Sequence, residues 1–199
     1  MSKLAIVDSG GANIASLLFA FERLDVEAEL TTDAATIRAA ERVLLPGVGA
    51  ARDAMQRLID ADLVDVIRGL DQPVLGICLG MQLLCDASEE EDVDCLGIVP
   101  GVVRKLDVAE DFAVPNMGWC ATTIRQPHPV LEDLADNSWF YYLHSYALPV
   151  GDYTLAAASN SSEFSSVIGR DNFIAAQFHP ERSSAAGAQL LRNFLEWQV

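Results

Sequence analysis

The chain opens with a short apolar run, Lys3 to Asp8, and continues into Ile14, Leu17, Leu18, Phe21 and Leu24, which recur at helical spacing. A strand, a turn over Ser9 to Asn13 and a helix are predicted. The alternation repeats: Val26 to Leu30 reads as a second strand, Asp33 as the cap of a helix through Ala40, and Arg42 to Leu45 as a third strand. Helical patterns over Ala50 to Ile59 and Leu63 to Leu70 follow. Val74, Leu75 and Ile77 then form a run too short for a helix, and a new helix pattern starts just past Cys78. Strands alternating with helices in this way indicate parallel pairing.

Past an acidic stretch, Ser88 to Asp92, the pattern changes. Strand-like pieces at Val99 to Lys105, Cys120 to Arg125, Ser138 to Leu143, Tyr153 to Ala158, Ser165 to Ile168 and Phe173 to Phe178 follow with few helices between them. These are expected to add antiparallel strands, with Ser183 to Trp197 as a closing helix. The predicted fold class is α/β, an open twisted sheet, mixed but mainly parallel and flanked by helices, in a single domain over residues 1–199. The acidic stretch reads by default as a solvated surface loop.

Composition narrows the function classes. A hydrophobic fraction of 51% suffices for one sizeable core, yet no apolar run reaches the ~18 residues that span a bilayer. Twenty-nine acidic against thirteen basic residues give a formal charge of -16, which repels nucleic acid and anionic membrane surfaces. Neither is expected as a partner, and a cytoplasmic location is expected from the absence of a leader-like N-terminal pattern. The four cysteines show no Cys-x-x-Cys spacing and are expected to be reduced; with three histidines they build no metal-ligand cluster.

Gly76-Ile77-Cys78-Leu79-Gly80 places a cysteine at the junction of a strand and a helix pattern, between two glycines. Small neighbours allow the strained turn of a nucleophile elbow, and unpaired amides at the helix start favour a thiolate. The alternative is an inert cysteine between packing glycines. Pro46-Gly47-Val48-Gly49 follows the third strand at the sheet edge where such folds bind ligands, and is either a tight turn or a backbone able to aim an amide at an oxyanion. Near the C-terminus, His179-Pro180-Glu181 supplies a histidine with a carboxylate two residues on; in extended chain both side chains share a face, so Glu181 can orient the imidazole. His144 is the competing base, and His128, between two prolines, is expected in an exposed loop.

Pro-Gly-Val-Gly at 46–49, Gly-Ile-Cys-Leu-Gly-Met-Gln at 76–82 and His-Pro-Glu at 179–181 resemble, in order and spacing, the class I (triad) glutamine amidotransferases, a resemblance that covers the whole chain. More narrowly, Ile6-Val7-Asp8 with Ala12-Asn13, Leu96-Gly97-Ile98, Pro115 to Trp119, Phe140 to Tyr146 and His179 to Gly187 resemble the glutaminase-subunit family of imidazole glycerol phosphate synthases. Asn116 and Cys120 depart from that pattern, which usually carries histidine and asparagine there.

The resemblance implies a flavodoxin-like sheet and a cofactor-free hydrolysis of L-glutamine to glutamate and ammonia. It implies Cys78 as nucleophile, His179 as acid and base, and Glu181 as its orienter. The amides of Val48 and Leu79, flanked by Gly47 and Gly49, would form the oxyanion hole. Gln82, Glu90, Ser145 and Tyr146 would bind glutamine. The implied partner is a (β/α)8-barrel cyclase subunit of imidazole glycerol phosphate synthase, met through Asn13, Trp119, Tyr142 and Arg182. Two alternatives stay open: a glutaminase subunit of another synthase, and a freestanding cysteine hydrolase.

Overall fold

The computed structural model describes residues 4–10, 14–108 and 113–199. Lys3, the turn residues Gly11 and Ala12, and Asn13 lie outside the described residues. The first half alternates as the hydrophobic pattern predicts: β1 (Leu4–Val7), α1 (Ile14–Glu22), β2 (Ala28–Thr31), α2 (Ala34–Ala39), β3 (Arg42–Gly47), α3 (Ala51–Asp60), α4 (Val64–Arg68), β4 (Val74–Cys78) and α5 (Leu79–Leu83). Asp33 caps α2 as expected, its carboxylate accepting from the Thr36 amide at 2.7 Å.

The second half is almost all strand: β5 (Ala87–Ser88), β6 (Val93–Asp94), β7 (Val102–Lys105), β8 (Asn116–Ile124), β9 (Ser138–His144), β10 (Tyr146–Ala147), β11 (Thr154–Asn160), β12 (Ser162–Arg170) and β13 (Phe173–Ala176), closed by α6 (Ser184–Glu196). Nine strands form one sheet in the order β2-β1-β3-β4-β13-β12-β11-β8-β9. The five from β2 to β13 pair in parallel and the rest are antiparallel additions. The acidic stretch is not a free loop: it joins β5 to β6 in a separate four-stranded sheet, β10-β7-β5-β6, whose two-residue strands are too short to leave a periodic signal.

Period-two alternation sorts the strand side chains onto two faces. Val43, Leu45 and Val74 join the core under α2 to α5, with Ile37, Leu58 and Ile67, while Leu44, Leu75 and Ile77 join the core under α1 and α6, with Phe21, Leu190 and Phe194. The buried Arg42 ties the end of α6 to the sheet by donating to the carbonyls of Phe194 and Trp197, where a helix C-terminus favours a cation.

The centre of the sheet fixes the site. β4 lies between β3 and β13, with Gly47 opposite Cys78 and Ala176 opposite Ile77. A Cβ on Gly80 would stand 1.7 Å from the Leu45 carbonyl oxygen, so only glycine lets the first turn of α5 lie against β3. Gly80→Ala is expected to cost more than the ~1–3 kcal/mol usual for overpacking, since backbone and not a flexible side chain is in the way. Urea unfolding checks this: a midpoint near wild type would show that the turn can move aside.

Candidate active site

Cys78 ends β4 with φ 54° and ψ -110°, left-handed backbone that a non-glycine residue adopts only when its surroundings impose it. The strand and α5 leave in different directions, and the side chain stands at the sheet's C-terminal edge. α5 has only five residues, so its macrodipole is small, and what it offers the sulfur reduces to the unpaired amides of the first turn.

His179 follows β13, the neighbour of β4. The segment after it is not extended, contrary to the expectation from the i, i+2 spacing; Pro180–Arg182 is a 3-10 turn with proline at a position that needs no N–H. That turn folds Glu181 back so that Nδ1 of His179 donates to Oε1 at 2.9 Å. Cys78 lines the same cavity and acts on this ring as well. Burial opposes charge on this ring, yet the interactions with Cys78 and Glu181 outweigh it and raise the pKa to about 10. The histidine backbone is pinned as well: its N–H donates to the Tyr141 carbonyl and its carbonyl accepts from Ser183 Oγ.

Cys78, His179 and Glu181 open onto a single cavity of about 520 Å³. Val48, Gly49 and Leu79 line it beside the sulfur. Gly47 sits behind them in β3, where a Cβ would stand 2.9 Å from that of Leu79. Gln82, Glu90, Ser145 and Tyr146 contribute the polar wall. The Glu90 carboxylate caps α3 by accepting from the Ala51 amide at 3.0 Å, and burial pushes its pKa up. Arg52, which donates to the Glu91 carbonyl, fastens the acidic hairpin to α3. The stretch read from its charge as solvated surface is exposed at Glu89, Glu91 and Asp92, while Glu90 alone turns into the cavity wall.

His144 also lines the cavity, but both ring nitrogens are engaged, Nδ1 with the Tyr146 carbonyl at 2.9 Å and Nε2 with Asn116 at 3.1 Å. His128 is not in an exposed loop; half-buried, it packs against Trp197 and accepts from the Val130 amide. Burial raises the thiol pKa values of Cys85, Cys95 (to about 11) and Cys120, so none of the three competes as a thiolate.

The proposed contact residues separate. Trp119 is exposed and meets the Tyr141 ring edge-on at 6.2 Å, and the Arg182 guanidinium lies 4.4 Å over that same ring. Tyr142 does not belong with them: it has no exposed surface, and its hydroxyl bonds to Thr122 and Ser166 in the core. One step along a strand reverses the face, and Tyr141, not Tyr142, points outward. Met117, Trp139 and Leu143 join Trp119 and Tyr141 on that outer face, an apolar patch that emerges only from the pairing of β8 with β9.

The chain superposes on a glutamine amidotransferase with a TM-score of 0.75 at 17% identity, covering 97% of each chain. At that identity the likeness establishes the fold. In sequence, residues 5–197 match the class-I glutamine amidotransferase family, and the chain belongs to it. Two relatives are each named imidazole glycerol phosphate synthase subunit HisH. That of Vibrio cholerae is 45% identical over 97% of this chain and 98% of the relative, and that of Xanthomonas axonopodis pv. citri 47% identical over 98% of both. Identity of this extent places the chain in the HisH group.

The raised pKa of His179 makes stability depend on pH in a definite direction. Its folded value lies above the ordinary 6.5, so its contribution is complete below about 6.5 and is lost as pH rises toward about 10. Unfolding by urea across that range should show a decline that His179→Ala lacks; equal declines would be incompatible with a paired imidazolium.

Proposed function

We propose that this chain is the glutaminase subunit of an imidazole glycerol phosphate synthase and that Cys78, His179 and Glu181 hydrolyse L-glutamine. The observation that carries the site assignment is the strained Cys78 elbow facing a Glu181-bound His179 in one cavity. The Cys78 thiolate attacks the glutamine carboxamide carbon, and the oxyanion formed is stabilised by the Val48 and Leu79 amides. The His179 imidazolium gives its proton to the departing nitrogen, ammonia leaves, and a γ-glutamyl thioester remains. Neutral His179 then takes a proton from water as it attacks the thioester, and glutamate and the thiolate are released. Glu181 holds the ring in the tautomer that faces sulfur throughout.

Substrate is held by the polar wall. Glu90 carries the charge that suits the α-ammonium of glutamine, and Ser145 and Tyr146 meet its carboxylate end. Gln82 completes this wall from α5, next to the sulfur. Ammonia passes to a (β/α)8-barrel cyclase subunit in histidine biosynthesis. That partner docks on the outer face of β8 and β9, where Met117, Trp119 and Tyr141 with Arg182 give an aromatic and cationic patch of the composition that carries binding energy.

Cys78→Ser, assayed with the purified cyclase, should lose glutamine-dependent synthesis by at least about 10³-fold while ammonia-dependent synthesis persists. Retained glutamine use would remove Cys78 from the reaction, and loss of both activities would point to a broken complex. At the partner face, Trp119→Ala should weaken cyclase binding at least about tenfold, as for a central aromatic anchor. Tyr142→Phe should leave binding unchanged and lower stability by about 1 kcal/mol through its lost hydrogen bonds. Titration calorimetry with thermal melts separates the two, and the reverse pattern would restore Tyr142 to the interface.

A further inference from the structure

Gln177 is fully buried, follows β13 and precedes His179 by two residues, and the hydrolysis above does not use it. Its neighbours dictate which way its amide points. The Tyr146 carbonyl can only accept, so the Gln82 side-chain atom 2.9 Å from it is the NH₂ group. The same nitrogen lies 3.1 Å from the Gln177 amide, which must present its oxygen there. The Gln177 NH₂ is left aimed at the Cys78 sulfur, 3.9 Å away.

The far end of this hydrogen-bond series is anchored too. His144 Nδ1 lies 2.9 Å from the same Tyr146 carbonyl and so carries the proton, which leaves Nε2 to accept from Asn116 Nδ2 at 3.1 Å. Burial lowers the pKa of this ring to about 4 and keeps it in that neutral tautomer. Cys120 fixes the Asn116 amide in turn by donating to Oδ1 at 3.5 Å. Asn116 and Cys120, the two departures from the family pattern, thus complement one another.

We infer that Gln177 donates an N–H to the Cys78 thiolate, its amide locked in that sense by Gln82, the Tyr146 carbonyl, His144 and Asn116. This rests on the glutaminase reading of Cys78. Among the described residues three groups act on the sulfur: His179 with Glu181 behind it, the Leu143 carbonyl at 3.7 Å, and the Gln177 amide. The carbonyl accepts from the thiol and favours S–H; His179 and Gln177 favour the thiolate. His144, the other titratable ring nearby, stays neutral and adds no charge.

The test is the pH dependence of Cys78 alkylation by iodoacetamide, read by mass spectrometry of the Cys78 peptide, in wild type, Gln177→Leu and Gln177→Glu. Loss of the donor should raise the midpoint by about one pH unit, and the glutamate variant should move it further because a carboxylate then faces sulfur. A residue that only packs leaves the midpoint in place. Unchanged midpoints in folded variants with Cys78 still labelled overturn the role of Gln177 and leave the glutaminase reading standing; absence of Cys78 labelling in wild type overturns both. Should neither variant fold, the ¹⁵N-labelled wild-type protein decides. Its Gln177 side-chain amide protons should titrate with the alkylation midpoint and cease to do so in Cys78→Ala, and signals blind to Cys78 ionisation reject the role.

Discussion

The site depends on how closely two pieces of backbone approach each other. The start of α5 lies against the Leu45 carbonyl with room for a hydrogen at Gly80 and nothing larger. That contact sets where the chain goes after Cys78, and Cys78 absorbs the change of direction in a left-handed conformation. Parallel pairing to β3 on one side and β13 on the other prevents the turn from relaxing. The elbow is therefore strained by the sheet that surrounds it, and β13 delivers His179 to the same edge.

Two buried histidines line this cavity with pKa values shifted in opposite directions, and their partners explain the difference. His179 has a carboxylate on Nδ1 and the attraction of Cys78 besides, which together outweigh the loss of water. His144 has only a carbonyl and an amide, burial prevails, and the repulsion from His179 adds to it. Environments that push two like groups apart in pKa suit them to different work: one ring holds a proton readily and the other stays a fixed neutral donor.

β9 joins the site to the surface. Its inward side chains, Phe140, Tyr142 and His144, pack the core and the cavity wall, and its outward ones, Trp139, Tyr141 and Leu143, belong to the apolar face. The backbone of Tyr141 is taken up by the segment that carries His179, its N–H by Ser183 Oγ and its carbonyl by the His179 amide. An edge strand that would otherwise offer free groups to another chain is thus capped by the turn after His179.

Much of this was legible in the chain. Periods of 3.6 and 2 located the alternating half and the antiparallel additions, because burial on one face or two imposes those periods whatever the partner strand. The glycines around Cys78 and the His179-Pro180-Glu181 segment were legible because a strained turn and an oriented base are local demands on residue type. Local pattern failed wherever the deciding contact was distant. The two-residue strands β5, β6 and β10 carry no period, and the acidic hairpin reaches the cavity through Glu90 and the Ala51 amide, 39 residues apart. Whether Tyr141 or Tyr142 faces outward depends on how β9 registers on β8, and the hydrogen bonds that lead to Gln177 join residues from separated segments. Sequence alone determined which side chains could do the chemistry. Tertiary structure decided which of them meet, because hydrogen bonds between distant segments and steric limits such as that at Gly80 exist only once the sheet has closed around them.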